Sequence, residues 1–385
     1  MSLLTKRHQE SEQKENRPPS KKRPILLWGG LFCITILLNG MARLVPGFAE
    51  WYAVHIYPLW VGSLGRLCSP LPFSLSEMML LAGVLLAALW IVAAVRNLVR
   101  GLRRGILQKP CRFWCKILVT GGKILVVIFF LYTINCGINY HRLTFSQREG
   151  FVMRESTVEE LANLCLELTA EINEAALYIL VDENGGFVAE SDVEERAREA
   201  MQAAAVSYPE LSGYYPKAKE VKNSWILSYQ QLQGVYSPFT IESNYNRDMP
   251  DYNKPHTICH ELSHLKGFMR EDEANFIAYL ACRASEWVDF QYSGSMMAYV
   301  YSTNALYRED RELYREIRSQ LCEQANRDLK LHSAFWDAYD GKVAEVSDKV
   351  NDTYLKVNAQ EYGTKSYGRM VDLLLALKRT ERMEQ

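Results

Sequence analysis

Basic residues are outnumbered by acidic residues in the last two thirds of this 385-residue chain. Residues 139–385 contain 27 Lys and Arg against 40 Asp and Glu, a net charge of −13. A protein that binds nucleic acid needs a basic face for the phosphates, so this composition excludes that class. The overall net charge of −1 conceals the imbalance, because residues 1–138 carry 17 basic against 5 acidic residues, or +12.

Cysteine is too thinly spread to form a metal site of its own. Cys111 and Cys115 have no second Cys or His pair to complete a zinc site. Four cysteines follow residue 138, and a disulfide among them is one alternative in an oxidising compartment: Cys165, Cys259, Cys282 and Cys322. The apolar sequence neighbours of Cys259 and Cys282 favour buried free thiols instead.

Three long apolar runs occupy the first third of the chain, at about 25–45, 78–95 and 117–138. Each is close to the roughly 17–25 residues that a helix needs to cross a bilayer. The first run is too long for the core of a cleaved signal peptide and has no small-residue cleavage site after it. Buried helices of a soluble core are the alternative, but we expect three transmembrane helices.

The distribution of positive charge predicts how these helices are oriented. Residues 1–24 and the loop 96–116 carry seven Lys or Arg each, whereas the loop 46–77 has only Arg66. The positive-inside rule therefore places the N terminus and the second loop in the cytoplasm. Three spans then leave everything after about residue 138 outside, as expected for a multi-pass protein of the cell (plasma) membrane.

The predicted organisation has three parts. Residues 1–24 are polar and without periodicity, which indicates a disordered basic cytosolic tail. Residues 25–138 form the transmembrane region, embedded in membrane lipid. Within it, the segment 46–76 is rich in Trp, Tyr and Pro, which predicts an interfacial loop or amphipathic helix, with a substrate lid as the alternative. Residues 139–385 form one extracytoplasmic domain.

Hydrophobic periodicity indicates that this domain is mostly α (α+β) with a small sheet. The stretch from Ser156 to about residue 180 has helical apolar spacing and a capping box from Ser156 to Glu159. Further helices are predicted at about 191–208, 295–329 and 366–379. The stretch 234–246 is β-branched and aromatic, and Pro238 interrupts it as in an edge strand.

Three of the chain's seven histidines lie within nine positions, at His256, His260 and His264. His260, Glu261 and His264 form an HExxH motif, in which two histidines at i and i+4 share one helix face and both reach one Zn²⁺. Glu261 then deprotonates a metal-activated water as general base. The alternative is a surface helix whose histidines make ordinary hydrogen bonds.

A hydrolytic zinc site needs a third protein ligand and an open position. Gly267 is typical of the residue that ends a helix, and a second helix with acids in its first turn follows it. Glu271 and Glu273 are both candidates for the third ligand, and helical periodicity leaves the choice nearly balanced. A metzincin site is excluded because Arg270 stands where its third histidine is required.

The two halves of this region together resemble the gluzincin pattern HExxH…ExxA[DN], with Glu271, Ala274 and Asn275 matching the second half. The resemblance favours Glu271 as the third ligand, with Glu273 as the alternative, and implies a gluzincin-like metallopeptidase domain. Asn275 would hydrogen-bond a ligating imidazole. The stretches 234–246, 255–280 and 351–376 also resemble a bacterial membrane family known only as domain of unknown function 3810, and this likeness covers most of the chain.

Other residues near the motif have weaker claims. The strand around 235–241 precedes the motif and can pair with a substrate backbone, or it is an ordinary edge strand. Tyr367 and His332 are candidates to stabilise an oxyanion. His256 is expected just before the helix, which is predicted to start near Thr257, as a supporting or surface residue.

These patterns predict a membrane-anchored zinc endopeptidase that acts on a peptide or protein outside the cytoplasm, with Zn²⁺ as cofactor and no nucleic-acid partner. A zinc-binding sensor or scaffold domain without turnover is the main alternative, although it has no use for the base Glu261. A transporter component is disfavoured, because the spans lack paired buried charges and broken helices in symmetric halves.

Overall fold

The computed structural model describes residues 22–103, 108–360, 363 and 369–384. Residues 1–21 of the predicted cytosolic tail lie outside this range. The described chain is mostly helical with one small sheet, as predicted. In chain order, the helices of eight residues or more are α1 (Lys22–Leu44), α2 (Phe48–His55), α3 (Leu75–Arg103), α4 (Gln108–Tyr132), α5 (Val158–Ala175), α6 (Val193–Ser207), α7 (Lys254–His264), α8 (Glu271–Ala284), α9 (Val288–Glu309), α10 (Arg311–Arg318), α11 (Glu323–Asp337), α12 (Lys342–Val357) and α13 (Met370–Glu384).

The three predicted apolar runs lie on α1, α3 and α4, and each is long and apolar enough to cross a membrane. Their leucines are largely exposed, with Leu37 at 61 %, Leu86 at 65 % and Leu125 at 66 %. Apolar faces of this length have no partner in water, which indicates that the protein is membrane-associated. Helix α3 continues to Arg103, well beyond the predicted end at residue 95.

The segment between α1 and α3 is helical and partly packed on the rest of the chain. It contains α2 and the short turns Tyr57–Trp60, Val61–Gly65 and Arg66–Cys68. Tyr57 is buried, and its hydroxyl lies 2.9 Å from the hydroxyl of Tyr236. This contact ties the segment to the sheet.

The sheet has three short strands, β1 (Lys219–Val221), β2 (Gly234–Ser237) and β3 (Glu242–Asn246). Strand β3 lies in the middle, parallel to β1 and antiparallel to β2. The single strand predicted across 234–246 is therefore a hairpin. Pro238 cannot continue the ladder because it has no N–H group, and the chain turns there, with a positive φ of 53° at Ile241. Strand β2 is an edge strand, as predicted.

A helical core surrounds the sheet, with α5 packed along α9 and α7 enclosed by α6, α8 and β3. The predicted capping box is displaced by one residue. The Oγ1 atom of Thr157, rather than the hydroxyl of Ser156, accepts a hydrogen bond from the backbone N–H of Glu160 at 3.1 Å, and the Glu160 carboxylate accepts one from the N–H of Thr157 at 3.1 Å. The capping residue that accepts a hydrogen bond from a free N–H group in the first turn of α5 is therefore one position later than predicted.

The long helix predicted from 295 to 329 is divided into α9, α10 and α11. The division occurs because Asp310 starts a new helix, its Oδ1 accepting hydrogen bonds from Glu312 N and Leu313 N at 3.0 and 2.9 Å. Every cysteine whose side chain the structure describes is a free thiol, as expected for Cys259 and Cys282, both of which are buried.

Candidate metal site

The HExxH motif lies on α7, which is buried on all sides from Pro255 to His264. The rings of His260 and His264 face the same side, with centroids 4.8 Å apart. The prediction that His256 precedes the helix is wrong, because α7 begins at Lys254 with Pro255 in its first turn, where its missing N–H costs nothing. His256 is buried one turn before His260, and its Nε2 atom lies 3.2 Å from the carbonyl oxygen of Asn275.

A short turn reverses the chain between the two halves of the motif. Gly267 has φ of 83°, a conformation that glycine adopts without strain, and its N–H donates to the carbonyl of His264 at 2.9 Å. Helix α8 then begins at Glu271 and packs directly against α7. Ala274 is fully buried on α8, and its small side chain permits this close approach.

This packing brings one carboxylate to the two imidazoles. The Oε2 atom of Glu271 lies 3.2 Å from His260 Nε2 and 3.9 Å from His264 Nε2. The three groups can each offer one ligand atom, and these atoms lie within 4.8 Å of one another. All three residues are buried. The described residues thus contain a His-His-Glu cluster that can hold a metal ion.

The alternative ligand, Glu273, points elsewhere. Its Oε1 atom accepts a hydrogen bond from the backbone N–H of Phe145 at 2.9 Å, in a buried contact between α8 and the helical turn Phe145–Glu149. Burial raises the pKa of Glu273 to about 7, reinforced by the charge of Asp272. The geometry therefore groups Glu271, rather than Glu273, with the histidines.

Each histidine is oriented through its other ring nitrogen. His260 Nδ1 lies 2.8 Å from Asn275 Oδ1, and His264 Nδ1 lies 2.8 Å from the carbonyl oxygen of Phe268. Both oxygens are acceptors, so each Nδ1 is the donor in its hydrogen bond, and Nε2 is the nitrogen of each ring that faces the cluster. This arrangement is the one that a metal-ligating histidine needs.

Burial dominates the electrostatics of the cluster. It lowers the pKa of His264 to about 4, against the opposing charge of Glu271. At His260, burial acts in the same direction, but the hydrogen bond and charge of Glu271 outweigh it, and the pKa is raised. A neutral His264 is a competent metal ligand at neutral pH.

Glu261 lies beside the cluster, one position after His260 on α7. Its side chain is buried, and among the described residues nothing hydrogen-bonds its Oε2 atom. Burial raises its pKa to about 8, with the charge of Glu271 also raising it and His260 opposing. Strand β2 passes very close, because a Cβ atom added to Gly234 would lie 2.5 Å from Glu261 Oε1.

The cluster opens into a cleft of about 910 Å³. Strand β2 and helices α7, α8 and α12 form its walls, and Tyr301 of α9 closes one side. The Tyr301 hydroxyl lies 3.5 Å from Asn275 Nδ2, and burial raises its pKa to about 12. Sequence reasoning missed Tyr301 and the whole of α12, since nothing in either stretch marks a site distant from the motif.

Two predicted oxyanion candidates are not seen at the cluster. Tyr367 lies outside the described residues. His332 lies on α11, where its Nδ1 atom is 3.0 Å from Asn253 Oδ1 and its ring contacts Tyr252 and Trp336. It is absent from the described lining of the cleft. These contacts give His332 a structural role.

The fold and the cluster together define a membrane-associated, mostly helical protein with three buried side chains that can hold a metal ion. The family described as protein of unknown function (DUF3810) matches residues 52–375, most of the chain, and the chain belongs to that family. No curated protein matches it. No solved structure matches it either.

Proposed function

We propose that this protein is a membrane-anchored, zinc-dependent endopeptidase. One observation carries the proposal: a buried His-His-Glu cluster and the unpartnered carboxylate of Glu261 meet at the base of one cleft. A metal site with a purely structural role is closed by a fourth protein ligand and needs no base. Here the described residues supply three ligands and one free carboxylate, which is the composition of a hydrolytic site.

The donor set fits zinc. Two imidazole nitrogens and one carboxylate oxygen, each within reach of one point, match the His₂Glu ligands of catalytic zinc sites that keep one position open. His260, His264 and Glu271 would hold the ion, and Asn275 and the Phe268 carbonyl would fix the two rings. When bound, zinc supplies Lewis acidity, which lowers the pKa of water to near neutrality.

Glu261 is the proton carrier in this proposal. Its free Oε2 atom takes the proton from the attacking water and then returns it to the leaving amine. A carboxyl with a pKa raised by burial is suited to both steps, since it neither holds nor releases the proton too strongly. Strand β2 lines the cleft beside Glu261, and as an edge strand it would pair with a substrate backbone there.

The gluzincin resemblance supports the same assignment. In that pattern the second half, ExxA[DN], supplies a ligand and its neighbours, and Glu271, Ala274 and Asn275 stand at those positions. Ala274 lies in the α7–α8 contact, and Asn275 lies 2.8 Å from a ligand ring. We therefore propose a gluzincin-type arrangement for α7 and α8.

We also propose that the cleft faces the outside of the cell. The positive charges of residues 1–24 and of the loop 96–116 favour the cytoplasm for both segments. In this proposal α1, α3 and α4 each cross the membrane, so the domain that follows lies on the opposite side, where its substrate would be an extracytoplasmic peptide or protein.

The test uses the full-length chain purified in an uncharged detergent. Bound metal is measured by elemental analysis, and hydrolysis is measured on a mixture of quenched fluorescent peptides with and without a chelator. We expect about one zinc per chain, and we expect Glu261→Gln to keep the zinc while hydrolysis falls about 10²–10⁴-fold. Glu174→Gln, at an exposed position on α5, is the control and should match the unaltered chain. Zinc without hydrolysis in the unaltered chain would favour the sensor or scaffold instead.

A further inference from the structure

Helix α12 covers the cleft and presents acidic side chains to it. Ala344, Glu345, Ser347, Asp348 and Asn351 all line the cleft. These positions recur with helical spacing, so they form one face of α12. The hydroxyl of Ser347 donates a hydrogen bond to the carbonyl of Gln230 at 2.9 Å and so ties the helix to the segment that leads into β2.

The charge of this wall is uniform. Asp340, just before α12, lines the cleft together with Glu345 and Asp348, and all three are exposed to solvent. Among the described residues that line the cleft, none is Lys or Arg. The lysines of α12 lie outside this lining, and one of them, Lys356, pairs with Asp352 at 2.6 Å. Nothing in the described lining therefore neutralises the acidic wall.

Two independent features show that this wall faces a ligand site and is not simply a solvated surface. Glu261 lines the same cleft, and its buried Oε2 atom has no hydrogen-bond partner among the described residues. The edge strand β2 lines the cleft too, and its outer edge is not paired with another strand among the described residues. An edge strand binds an extended peptide through its backbone, while the surrounding side chains select among sequences.

We propose that the acidic wall of Asp340, Glu345 and Asp348 selects cationic peptide segments, so that the substrate carries Lys or Arg close to the bond that is cleaved. This inference rests on the proposed peptidase function and names its substrate class. Exposed ion pairs are individually weak, and three of them acting together give a preference on the order of tenfold at low salt. The preference should fall as the ionic strength rises, because the pairs are solvent-screened.

The test measures binding separately from hydrolysis. The full-length chain with Glu261→Gln, in uncharged detergent micelles, is titrated against two fluorescein-labelled nonapeptides, one alternating Ala with Lys and the other alternating Ala with Glu. We expect the Lys peptide to bind about tenfold more tightly in 20 mM salt than the Glu peptide, with the difference mostly lost in 500 mM salt.

Reversing the charge of the wall then tests whether these side chains cause the preference for the Lys peptide. Adding Glu345→Lys and Asp348→Lys should abolish or invert it, whereas Glu174→Lys and Glu316→Lys, an equal change of charge at exposed positions outside the cleft lining, should leave it intact. Zinc content equal to that of the unaltered chain shows that each variant is folded. Equal binding of the two peptides, or a preference unchanged by reversal of the wall, overturns the inference.

The same peptides separate the inference from the proposed function. If the chain with Glu261 intact hydrolyses peptides but cleaves the Lys and Glu series equally, the substrate class is wrong and the peptidase stands. If the Lys preference in binding is present and depends on the wall, but the chain with Glu261 intact cleaves neither peptide, the peptidase is wrong and the cationic binding site stands.

Discussion

The Nδ1 atom of His260 lies 2.8 Å from the Oδ1 atom of Asn275, and this hydrogen bond joins the two helices that build the cluster. His260 is on α7 and Asn275 is on α8, one turn after Glu271. One residue of α8 thus orients a ring while another supplies a carboxylate to the same ring. Because Oδ1 is an acceptor, Nδ1 of His260 is the donor in this bond, and Nε2 is the nitrogen that would face a metal ion.

We expect Asn275→Ala to weaken zinc binding about 10–100-fold, because His260 would lose the acceptor that fixes its ring. Asn275→Asp keeps an acceptor oxygen at the same position and should preserve most of the affinity. Competition against a chromophoric chelator measures the dissociation constant of each variant. Unchanged affinity in the alanine variant would show that packing alone holds the ring.

Glu271 and Glu273 should respond differently to removal. Glu271→Ala takes away the carboxylate 3.2 Å from His260 Nε2, so we expect zinc to be lost. Glu273→Ala leaves the buried N–H of Phe145 without an acceptor, and should cost about 1–3 kcal/mol of unfolding free energy while zinc is retained. Elemental analysis and thermal unfolding of both variants check this. The reverse pattern would make Glu273 the ligand.

Gly234 faces Glu261 so closely that no side chain fits between them. The Cβ atom of Gly234→Ala would lie 2.5 Å from Oε1 and 2.8 Å from Cγ of Glu261, so the carboxylate must move. We expect hydrolysis to fall at least tenfold with zinc retained, since a displaced general base loses its alignment. Gly62→Ala, where an added Cβ meets nothing within 4 Å, is the matched control. Full activity of Gly234→Ala would remove Glu261 from the mechanism.

Features that depend on residues close together in the sequence could be predicted for this protein, whereas contacts between residues far apart in the chain could not. The apolar runs, the helix that carries the motif and the turn at Gly267 follow from periodicity and from single residues with strong backbone preferences. Helical periodicity by itself left the choice between Glu271 and Glu273 nearly balanced. The structure groups Glu271 with the histidines, in agreement with the motif resemblance. The helix cap was predicted wrongly where two adjacent residues can both serve as the cap, as Ser156 and Thr157 can.

The walls of the cleft could not be predicted because they come from far along the chain. Tyr301 and Asp348 face a motif that lies about forty and ninety residues earlier in the sequence, and only tertiary packing brings them there. Helix α12 contains both acidic and basic residues, as many exposed helices do, so its sequence alone does not indicate that its acidic face lines a cleft. A pattern in the sequence reports periodicity, whereas a cleft depends on long-range contacts.

The orientation of the three spans can be measured with reporters. A reporter that is active only outside the cytoplasm should work when fused after residue 385 and fail when fused at residue 105, and a cytoplasmic reporter should behave in the opposite way. The basic loop 96–116 is the physical reason, because its seven Lys and Arg resist transfer across the membrane. Cytoplasmic activity at the C terminus would place the cleft inside the cell and change the class of substrate it meets.

Two acidic side chains, Glu149 and Glu210, meet at the surface of the domain. Partial burial, together with the hydrogen bond and the charge of Glu210, raises the pKa of Glu149 to about 8, against the opposing charge of Arg148. A carboxyl whose pKa is raised in the folded state contributes stability that is complete below its unfolded pKa of about 4.5 and is lost as pH rises through about 8. The pair should therefore weaken the fold in mildly alkaline solution.

We expect the melting temperature of the full-length chain in uncharged detergent to fall between pH 6 and pH 9, and Glu149→Gln to reduce the slope of that fall. The glutamine keeps a hydrogen bond to Glu210 but cannot ionise, so the repulsion that grows with pH is removed. Glu174→Gln, at an exposed position on α5, controls for the loss of one charge and should leave the slope unchanged. An equal slope in the Glu149 variant and the unaltered chain would mean that the two carboxyls do not share a proton in the folded protein.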